Sequence, residues 1–278
     1  MEYIKKSIDL VLKNIILIIP LFVAAFIPAL LTVFIVGAGA VNIVPQLIQL
    51  FSDPYAMSNM DVLFRTVFQI AVATTTAASF IGLISFVLNL GAQPATMGMA
   101  IKIAKGQGIT TDDMVTQMKE HFMKYLKYIL AFILLVIGFS IAVAIVFGIF
   151  AFIAASIEAF WIIFLLVIAL FVAIVLIGVR ISLWFVAMVA DDMPVWAGLK
   201  RSIDVSAQAF GTILLGIVLL SLIFGIAAGV IGFFAWIPLI GQILTAGIAA
   251  FGGAVFTVFF ALIYLDKTQQ QREAPEEQ

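Results

Sequence analysis

Cysteine is absent from this chain of 278 residues, and histidine occurs once, as His121. The lack of cysteine excludes disulfide bonds and thiolate metal sites, and His121 has no second histidine or cysteine with which to share a metal ion. Charged residues make up only 10% of the chain, and the net charge is −1. Such a balance creates no overall field that would recruit nucleic acid, so we expect no nucleic-acid partner.

Apolar residues form 65% of the chain, against about 45–50% in soluble domains. A soluble fold cannot hide that much apolar surface, so lipid must be the solvent for much of the molecule. The length suits one compact membrane domain over residues 1–266, with no sizeable soluble domain beside it. Residues 267–278 are rich in glutamine and glutamate, and this composition predicts a disordered tail.

Long uncharged stretches predict six membrane-spanning helices. The longest stretch, Val205–Leu265, has 61 residues. As a single helix it would be about 90 Å long, three times the roughly 30 Å hydrocarbon layer. It must therefore reverse direction, and we expect the reversal near Gly232, Trp236, Pro238 and Gly241. The other four predicted spans are Ile15–Val36, Val62–Leu90, Tyr128–Ile157 and Ala159 to about Ala190.

Three shorter segments, which we call elbows, begin near residues 2, 110 and 192 and carry apolar and charged residues on opposite faces of a predicted helix. In the third elbow, Asp192 and Pro194 are helix-start signals, and Trp196, Leu199 and Ile203 recur at spacings of three and four. A short amphipathic helix joined directly to apolar spans suits the headgroup layer of a membrane. A soluble amphipathic helix would show the same periodicity, so that alternative stays open.

Each elbow precedes two spans, which divides the chain into three units at about 2–108, 110–190 and 191–266. The second elbow opens with Thr110-Thr-Asp-Asp113, a capping-box pattern. Ser7-Ile-Asp9 and Ser202-Ile-Asp204 occupy similar places in the first and third units, which supports an internal repeat. The sequence thus predicts an all-α membrane protein with six transmembrane helices as three hairpins, each preceded by a cytoplasmic amphipathic elbow helix.

The basic residues predict the orientation of these spans. Twelve of the fourteen lie on the side of the elbows and the termini, Arg180 lies within the fourth span, and only Arg65 falls on the other side. The positive-inside rule therefore places both termini and all three elbows in the cytoplasm of a multi-pass protein of the cell membrane. Val41–Asp61 is then the longest loop on the opposite side.

Two short motifs carry a resemblance to a known group. Ala197-Gly-Leu-Lys-Arg-Ser202 and the closing Ala261-Leu-Ile-Tyr-Leu-Asp266, with the apolar hairpin between them, resemble a loose group of uncharacterised prokaryotic six-helix membrane proteins. That group is similar to the membrane domain attached to some glycerophosphodiester phosphodiesterases. The likeness covers most of residues 91–266 and implies a membrane-embedded helper connected with lipids. It implies no catalytic residue, because the phosphodiesterase chemistry belongs to a separate soluble domain.

Arg180 is a candidate functional residue because an arginine at the centre of a membrane helix costs about 2.5–3.5 kcal/mol on insertion scales. Trp184 follows one turn later, and tryptophan is enriched where hydrocarbon meets headgroups. If the hydrocarbon ends near Trp184, Arg180 is a structural anchor that reaches headgroup phosphates. Otherwise it belongs to an intramembrane site or pairs with another helix, and the sequence leaves both interpretations open.

A polar stripe marks one face of the second span, formed by Thr75, Ser79, Gly82, Asn89 and Gln93. Polar groups in lipid prefer the bundle interior, where they hydrogen-bond across helices. One interpretation is therefore helix packing, and the other is a path for a polar solute with Asn89 and Gln93 at its inner mouth. Together with the arginine of the fourth span, these residues form the candidate intramembrane site.

The candidate membrane-surface residues combine aromatic and basic side chains on the second and third elbows. This combination suits the headgroup layer, with anionic lipids of the cytoplasmic face as partners. These residues are Trp196, Lys200, Arg201, Phe122 and Lys124.

Three further features favour structural roles. His121 lies among charged residues and is predicted to be a solvated surface side chain. Asp191 and Asp192 resemble a metal-ligand pair, but helix capping explains them more simply. Gly225 and Gly229 fit the small-xxx-small pattern of close helix approach, either within the chain or in a homodimer.

The chain contains no Walker loop, dinucleotide fingerprint, nucleophile elbow or HExxH pattern. We therefore expect no enzyme activity, no cofactor and no metal. The sequence favours a non-enzymatic multi-pass integral membrane protein that acts in membrane or lipid homeostasis, or as a scaffold for a protein partner. The alternative is a small-solute transporter or channel with a polar path along the second helix.

Overall fold

A computed structural model describes residues 1–52, 60–156, 159, 161–234, 237 and 239–273. This part of the chain is helical and contains no β-strand. A 3₁₀ turn at Ile15–Ile18 follows the first helix. The α-helices of this part are α1 (Glu2–Lys13), α2 (Ile19–Ser52), α3 (Met60–Ala104), α4 (Thr111–Ser156), α5 (Trp161–Ile181), α6 (Trp184–Ala190), α7 (Val195–Gln208), α8 (Phe210–Gly232) and α9 (Ile240–Glu273).

Six helical stretches are long and apolar enough to cross a bilayer, which agrees with the six predicted spans. Their most apolar windows have mean hydropathies between 1.9 and 3.5. The all-α, multi-pass class is confirmed at this level. The pairing of spans into hairpins stays a prediction, because several expected turn residues, among them Glu158, Trp236 and Pro238, lie outside the described residues.

Three of the long helices extend beyond their predicted limits. α2 continues to Ser52, across much of the stretch predicted as a loop, while residues 53–59 lie outside the described part of the chain. α3 and α4 have 45 and 46 residues, which at 1.5 Å per residue is about 68 Å each. That length is about twice the hydrocarbon thickness of a bilayer, so each helix has a section beyond the hydrocarbon.

The middles of α3, α4 and α5 are barely covered by the rest of the chain. In the most apolar windows of these three spans only 0%, 6% and 6% of the residues are buried. Phe80, Phe152 and Phe171, one on each helix, are all more than half exposed. A soluble monomer rarely exposes continuous apolar surface on this scale, so these faces fit a lipid environment.

Packing divides the chain into two compact units. The first consists of Met1–Leu17, Gln93–Ser221 and Ala254–Gln278, and the second of Ile18–Ala92 and Leu222–Gly253. The first unit contains most of the fully buried side chains, which are concentrated at the end of α3, in α6 and in the second half of α9.

The end of α3 is core, although it lies beyond the predicted span Val62–Leu90. Ala95, Met99 and Ala100 are at most 1% exposed. Gly98 allows the close approach of α4, because a β-carbon at this position would lie 2.8 Å from the Cβ of Gln117. Small side chains therefore let the end of α3 pack deeply inside the first unit.

The connection between α3 and α4 is closed by capping interactions. The N–H of Gln107 donates to the carbonyl of Lys102 over 2.9 Å, and Gly106 takes a left-handed φ of 75°, which is the Schellman arrangement. The N–H of Thr110 donates to Oδ2 of Asp113 over 2.8 Å, which is one half of the predicted capping box, while the Thr110 hydroxyl donates to the same oxygen over 3.1 Å. Asp113 also forms an ion pair with Lys102 over 2.5 Å.

Two of the three predicted elbows are separate helices. α1 ends at Lys13, and the C-cap residue Ala209 separates α7 from α8. The second elbow was predicted wrongly as a separate helix, since α4 runs without a break from its first turn into the apolar span. Ser7 on α1 and Ser202 on α7 are both fully buried. This shared burial agrees with the similarity of the two Ser-Ile-Asp positions.

The last helix extends further than the sequence predicted. α9 continues through Glu273, so residues 267–273 are helical rather than disordered, and residues 274–278 lie outside the described part. Thr268 is only 4% exposed, and its hydroxyl donates to the carbonyl of Tyr264 over 2.8 Å. The helix therefore continues beyond the apolar run, and the Thr268 side chain in this extension is buried.

In the second unit, glycines on α9 allow close contact. A β-carbon at Gly252 would lie 3.2 Å from the ring of Phe224, and one at Gly253 would lie 3.1 Å from the Cδ1 of Leu21. Gly225 and Gly229 were predicted to serve close approach, but a β-carbon on either would meet no described atom within 4 Å. Close approach at these two glycines is therefore not found within the described chain, and the homodimer alternative stays a prediction.

Candidate functional site

α7 packs on a face of small and hydroxyl side chains. Gly198, Ser202, Val205 and Ser206 are its buried residues. A β-carbon at Gly198 would lie 2.6 Å from the Cγ of Met188, so glycine allows α6 and α7 to pack closely. On the opposite face of α7, Trp196 and Ile203 are exposed, and the ring of Trp196 has a tilted contact with that of Trp184 at a centroid distance of 6.2 Å.

The two buried serines of α7 stabilise a helix break. The sequence predicted one continuous fourth span, but α5 ends at Ile181 and α6 begins at Trp184. A break leaves backbone carbonyls without their partners along the helix. The hydroxyls of Ser202 and Ser206 donate to the carbonyl oxygen of Arg180 over 2.8 and 3.1 Å. α7 thereby satisfies a backbone group that the break exposes.

The side chain of Arg180 points to the junction of α7 and α8. Its Nη1 donates to the carbonyl of Ile203 over 3.3 Å, and its guanidinium carbon lies 5.9 Å from the centre of the Phe210 ring. The cation–π contact and the hydrogen bond hold the charge at the end of α5. Both contacts join neighbouring helices of the first unit and agree with the interpretation of Arg180 as a bundle partner, and the choice between this role and that of an anchor stays a prediction.

The residues of the predicted polar stripe on α3 are not brought to Arg180 by any contact in the described part of the chain. Thr75 and Ser79 are exposed, and the hydroxyl of Ser79 donates to the carbonyl of Thr75 over 2.8 Å. Asn89 is half-buried and donates from Nδ2 to Ser85 of its own helix over 2.8 Å. Gln93 is also half-buried. Hydroxyls that bond to carbonyls one turn earlier are satisfied without any other helix.

Trp184 was considered as a possible marker of the membrane interface, and the structure places its side chain in the protein core. The side chain is fully buried, and its Nε1 donates to the carbonyl of Val195 over 2.7 Å. The ring of Tyr128 packs edge-on against it with centroids 5.2 Å apart. Trp184 thus joins α4, α6 and the start of α7 in one cluster with Met188 and Ala131. The residue type alone does not separate a lipid-facing indole from a core indole.

Asp191 and Asp192 do not cap α7. Pro194 occupies the N-cap position and no side chain caps the helix. Oδ2 of Asp191 instead accepts from the hydroxyl of Tyr264 on α9 over 2.5 Å. Asp192 takes a left-handed φ of 51° and forms an ion pair with Lys124 on α4. The ion pair lowers the pKa of the Asp192 carboxyl below its ordinary value.

His121 is buried rather than solvated. It is only 5% exposed, and its Nε2 lies 3.1 Å from Oε1 of Gln117. Its Nδ1 has no hydrogen-bond partner among the described atoms. The surrounding charges in sequence made the position look like surface, but α3 covers this face of α4 through Gly98.

The N-terminal helix is attached to the C-terminal one through Tyr3. Its hydroxyl donates to Oδ2 of Asp266 over 2.6 Å, although the two residues are separated by almost the whole chain. Partial burial, together with this acceptor, raises the pKa of Tyr3 to about 12. No sequence pattern marks this pair, because the contact depends on how the first and last helices meet.

The predicted surface residues divide into two groups. Trp196, Lys200 and Phe122 are exposed, with Trp196 at 62%. Lys124 is paired with an aspartate, so its charge is not free for a lipid. Arg201 is half-buried, and its Nε is buried with no hydrogen-bond partner in the described chain. The structure therefore separates an exposed surface on α7 from a partly enclosed arginine on the same helix.

The candidate site is therefore the exposed surface of α7, with the partly enclosed Arg201 on the same helix. In the described part of the chain, no three histidine, aspartate or glutamate side chains lie close enough to hold a metal ion. The resemblance inferred from the motifs at 197–202 and 261–266 stays a prediction, because comparison of the chain with protein-family models, curated proteins and solved structures gave no match.

Proposed function

We propose that this chain is a non-enzymatic multi-pass protein of the cell membrane that acts in membrane or lipid homeostasis through the surface of α7. The supporting observation is that α7 packs on its small, hydroxyl-bearing face and leaves its apolar face largely exposed, although the ring of Trp196 lies 6.2 Å from that of Trp184. Trp196 and Ile203, seven residues apart, are 62% and 40% exposed. Residues seven apart lie on the same side of a helix, so the two form a continuous apolar strip.

Charged residues flank this strip, as is typical of helices in the headgroup layer. Lys200 and Asp204 are exposed beside it. An indole with one apolar body and one N–H donor is suited to the boundary between hydrocarbon and headgroups. Insertion of such a strip into one leaflet changes lipid packing there, which is the physical basis of the proposed role.

We further propose that α7 faces the cytoplasm, with both termini on the same side. Thirteen of the fourteen lysines and arginines belong to the first unit, and Arg65 is the one in the second. The positive-inside rule supports a cytoplasmic position for the basic ends of the spans. Anionic lipids of the inner leaflet would then be the partners of Lys200.

The full-length protein in vesicles tests this proposal. The fluorescence of Trp196 is the part of the emission that is absent from the Trp196→Phe variant. We expect lipids brominated near the headgroup to quench it strongly and lipids brominated near the chain ends to quench it less. The variant Trp196→Ser with Ile203→Ser should lose the effect of the protein on lipid order, measured with an interfacial polarity dye. Ala197→Ser, on the same exposed helix, is the matched control. Equal lipid order with wild type and the double variant would contradict the proposed role.

Transport along α3 is the alternative, and a flux measurement separates it from this proposal. It requires the polar stripe to line a path, whereas Thr75 and Ser79 are exposed in the described chain. Solute movement in proteoliposomes that is abolished by Asn89→Leu or Arg180→Leu would favour transport. A silent wild type across a broad solute panel would favour the membrane-surface role.

A further inference from the structure

The first unit contains a cavity of about 650 Å³ at the ends of several helices. Lys105 lines it just after α3, Asp191 just after α6, Arg201 from α7, and Leu265 and Thr268 from α9. A volume of this size is within the range of small-molecule sites, roughly 300–1,000 Å³. The cavity is separate from the exposed apolar strip of α7, because Arg201 lies near the buried side of that helix.

The charge of the cavity is predominantly positive. Neither Lys105 nor Arg201 forms an ion pair within the described chain, where the ion pairs use other cations. The carboxylate of Asp191 accepts from the hydroxyl of Tyr264. Two cations therefore face one carboxylate that is already hydrogen-bonded.

Arg201 has an unused donor on its buried side. Its Nε has no hydrogen-bond partner in the described structure, although the atom is buried. A buried donor left without an acceptor is unfavourable, and more so when the group is charged. This nitrogen is enclosed by the protein, so an anion in the cavity would meet the other nitrogens of the Arg201 side chain, which lines the cavity. Guanidinium groups bind the oxygens of phosphate through two parallel hydrogen bonds, which makes phosphate a fitting ligand.

The position of the cavity along the spans matches the level of lipid headgroups. Leu265 is the last residue of the 61-residue uncharged stretch, and the next residue is Asp266. The apolar run of the fourth span likewise ends at Ala190, immediately before Asp191. Both helices therefore change from apolar to charged at the cavity, as a helix does where hydrocarbon gives way to headgroups.

We propose that this cavity binds a phosphate monoester or diester group, with Arg201 as its main ligand and Lys105 at its entrance. The phosphate belongs either to the headgroup of a membrane phospholipid or to a soluble phosphate compound. If the phosphate belongs to a phospholipid, the inference rests on the proposed function, because the cavity then gives the membrane-surface role a specific lipid contact. For the soluble source it stands without that role.

Thermal unfolding of the purified full-length protein in neutral detergent tests the site. Four additives are compared: phosphatidylglycerol, a galactosyl diacylglycerol without phosphate, inorganic phosphate and glycerol 3-phosphate. We expect phosphatidylglycerol to raise the unfolding midpoint and the galactolipid to leave it unchanged, since only a ligand of the folded state stabilises it. A matching rise with a soluble phosphate compound would identify the soluble source, and a rise with the phospholipid alone the headgroup.

Two variants and one control complete the test. Arg201→Gln and Lys105→Gln should each weaken the apparent affinity by about tenfold or more, because a hydrogen bond to a charged group is worth about that factor. Lys200→Gln removes the same charge from the exposed face of α7 and should bind as wild type does. Lys105 is exposed, so its variant tests the site even if the arginine variant fails to fold.

The proposal is overturned if the galactolipid stabilises the wild type as much as the phospholipid does. It is also overturned if the Lys105 and Arg201 variants respond as the Lys200 variant does. Quenching of Trp196 by brominated lipid is measured on the same purified proteins after reconstitution into vesicles. Loss of quenching with retained phosphate binding would contradict the membrane-surface role alone, and the reverse result would contradict the cavity alone.

Discussion

Replacement of Gly98 by alanine tests the packing between the end of α3 and α4. The added β-carbon would lie 2.8 Å from the Cβ and 2.9 Å from the Cδ of Gln117, distances that real side chains do not tolerate. Gln117 is 9% exposed and His121 is 5% exposed, so neither has free space into which to move. We therefore expect Gln117 to shift and its contact with His121 Nε2 to break.

The expected loss of stability follows from three contributions. Overpacking of a core costs about 1–3 kcal/mol. Loss of the hydrogen bond between Gln117 and His121 costs about 1 kcal/mol. The higher helix propensity of alanine stabilises the helix by up to about 1 kcal/mol and offsets part of this loss. The net destabilisation is about 2 kcal/mol, which corresponds to a midpoint lowered by roughly 4–8 °C at 2–4 °C per kcal/mol.

Gly82→Ala is the matched control because Gly82 lies on the same helix and a β-carbon there meets no described atom within 4 Å. Its midpoint in detergent should equal or exceed that of the wild type, because only the propensity contribution applies. Thermal unfolding followed by intrinsic fluorescence compares the three proteins. If Gly98→Ala unfolds at or above the midpoint of Gly82→Ala, the close contact between α3 and α4 is refuted.

Three other predictions test the contacts at the helix break, at the N-terminus and across the membrane. Ser202→Ala and Ser206→Ala should each lower the free energy of unfolding by less than about 1 kcal/mol, and the double variant should lower it by about 1–3 kcal/mol, because either hydroxyl alone satisfies the shared carbonyl. Additive losses, measured by denaturant unfolding, would contradict this. Tyr3 should ionise near pH 12 rather than at its ordinary 10.0, seen as phenolate absorbance lost in Tyr3→Phe. Its contribution to stability is complete below the ordinary value and is lost as pH rises through the raised one. Ser58→Cys and Gln270→Cys, in a chain without cysteine, should be labelled from opposite sides of intact cells; labelling from the same side refutes the topology.

The sequence was sufficient to predict the spans because hydropathy is averaged over many residues. The run Val205–Leu265 carries no charge in 61 positions, and no single contact can change the conclusion that it crosses lipid. The same is true of local capping, where Thr110 and Asp113 are three residues apart and their bond is confirmed. Signals that are local, or that repeat over many residues, are readable without knowledge of the tertiary fold.

Contacts between distant parts of the chain were not predictable in this way. Asp191 looked like a helix cap, yet its partner is Tyr264, 73 residues away. Trp184 has the residue type of an interface belt, but α4 and α7 cover it in the fold. His121 is flanked by charges in sequence and is nevertheless buried. In each case the interpretation of the local pattern failed because another helix decided the partner or the burial of the side chain.

The missed core at the end of α3 has a related cause. The segment around Ala95, Thr96, Gly98 and Ala100 contains small side chains that give a weak hydropathy signal. Small residues nevertheless permit the closest helix approach, so a segment can be deeply buried without being strongly apolar. The depletion of large side chains between residues 91 and 100 was the available signal, and it indicates packing rather than a surface connection.

The distribution of packing and charge favours a function at the basic ends of the spans over transport along α3. Moving an apolar side chain from lipid into the protein interior gains little free energy, whereas moving it from water gains much. The strongest burial should therefore develop where the helices leave the hydrocarbon, and the first unit, which has thirteen of the fourteen basic residues, also has most of the buried core. A binding site needs side chains that are held by packed neighbours. Arg201 and Trp196 stand on α7, which is fixed by Gly198 and two serines, while the polar stripe of α3 has no comparable support in the described chain.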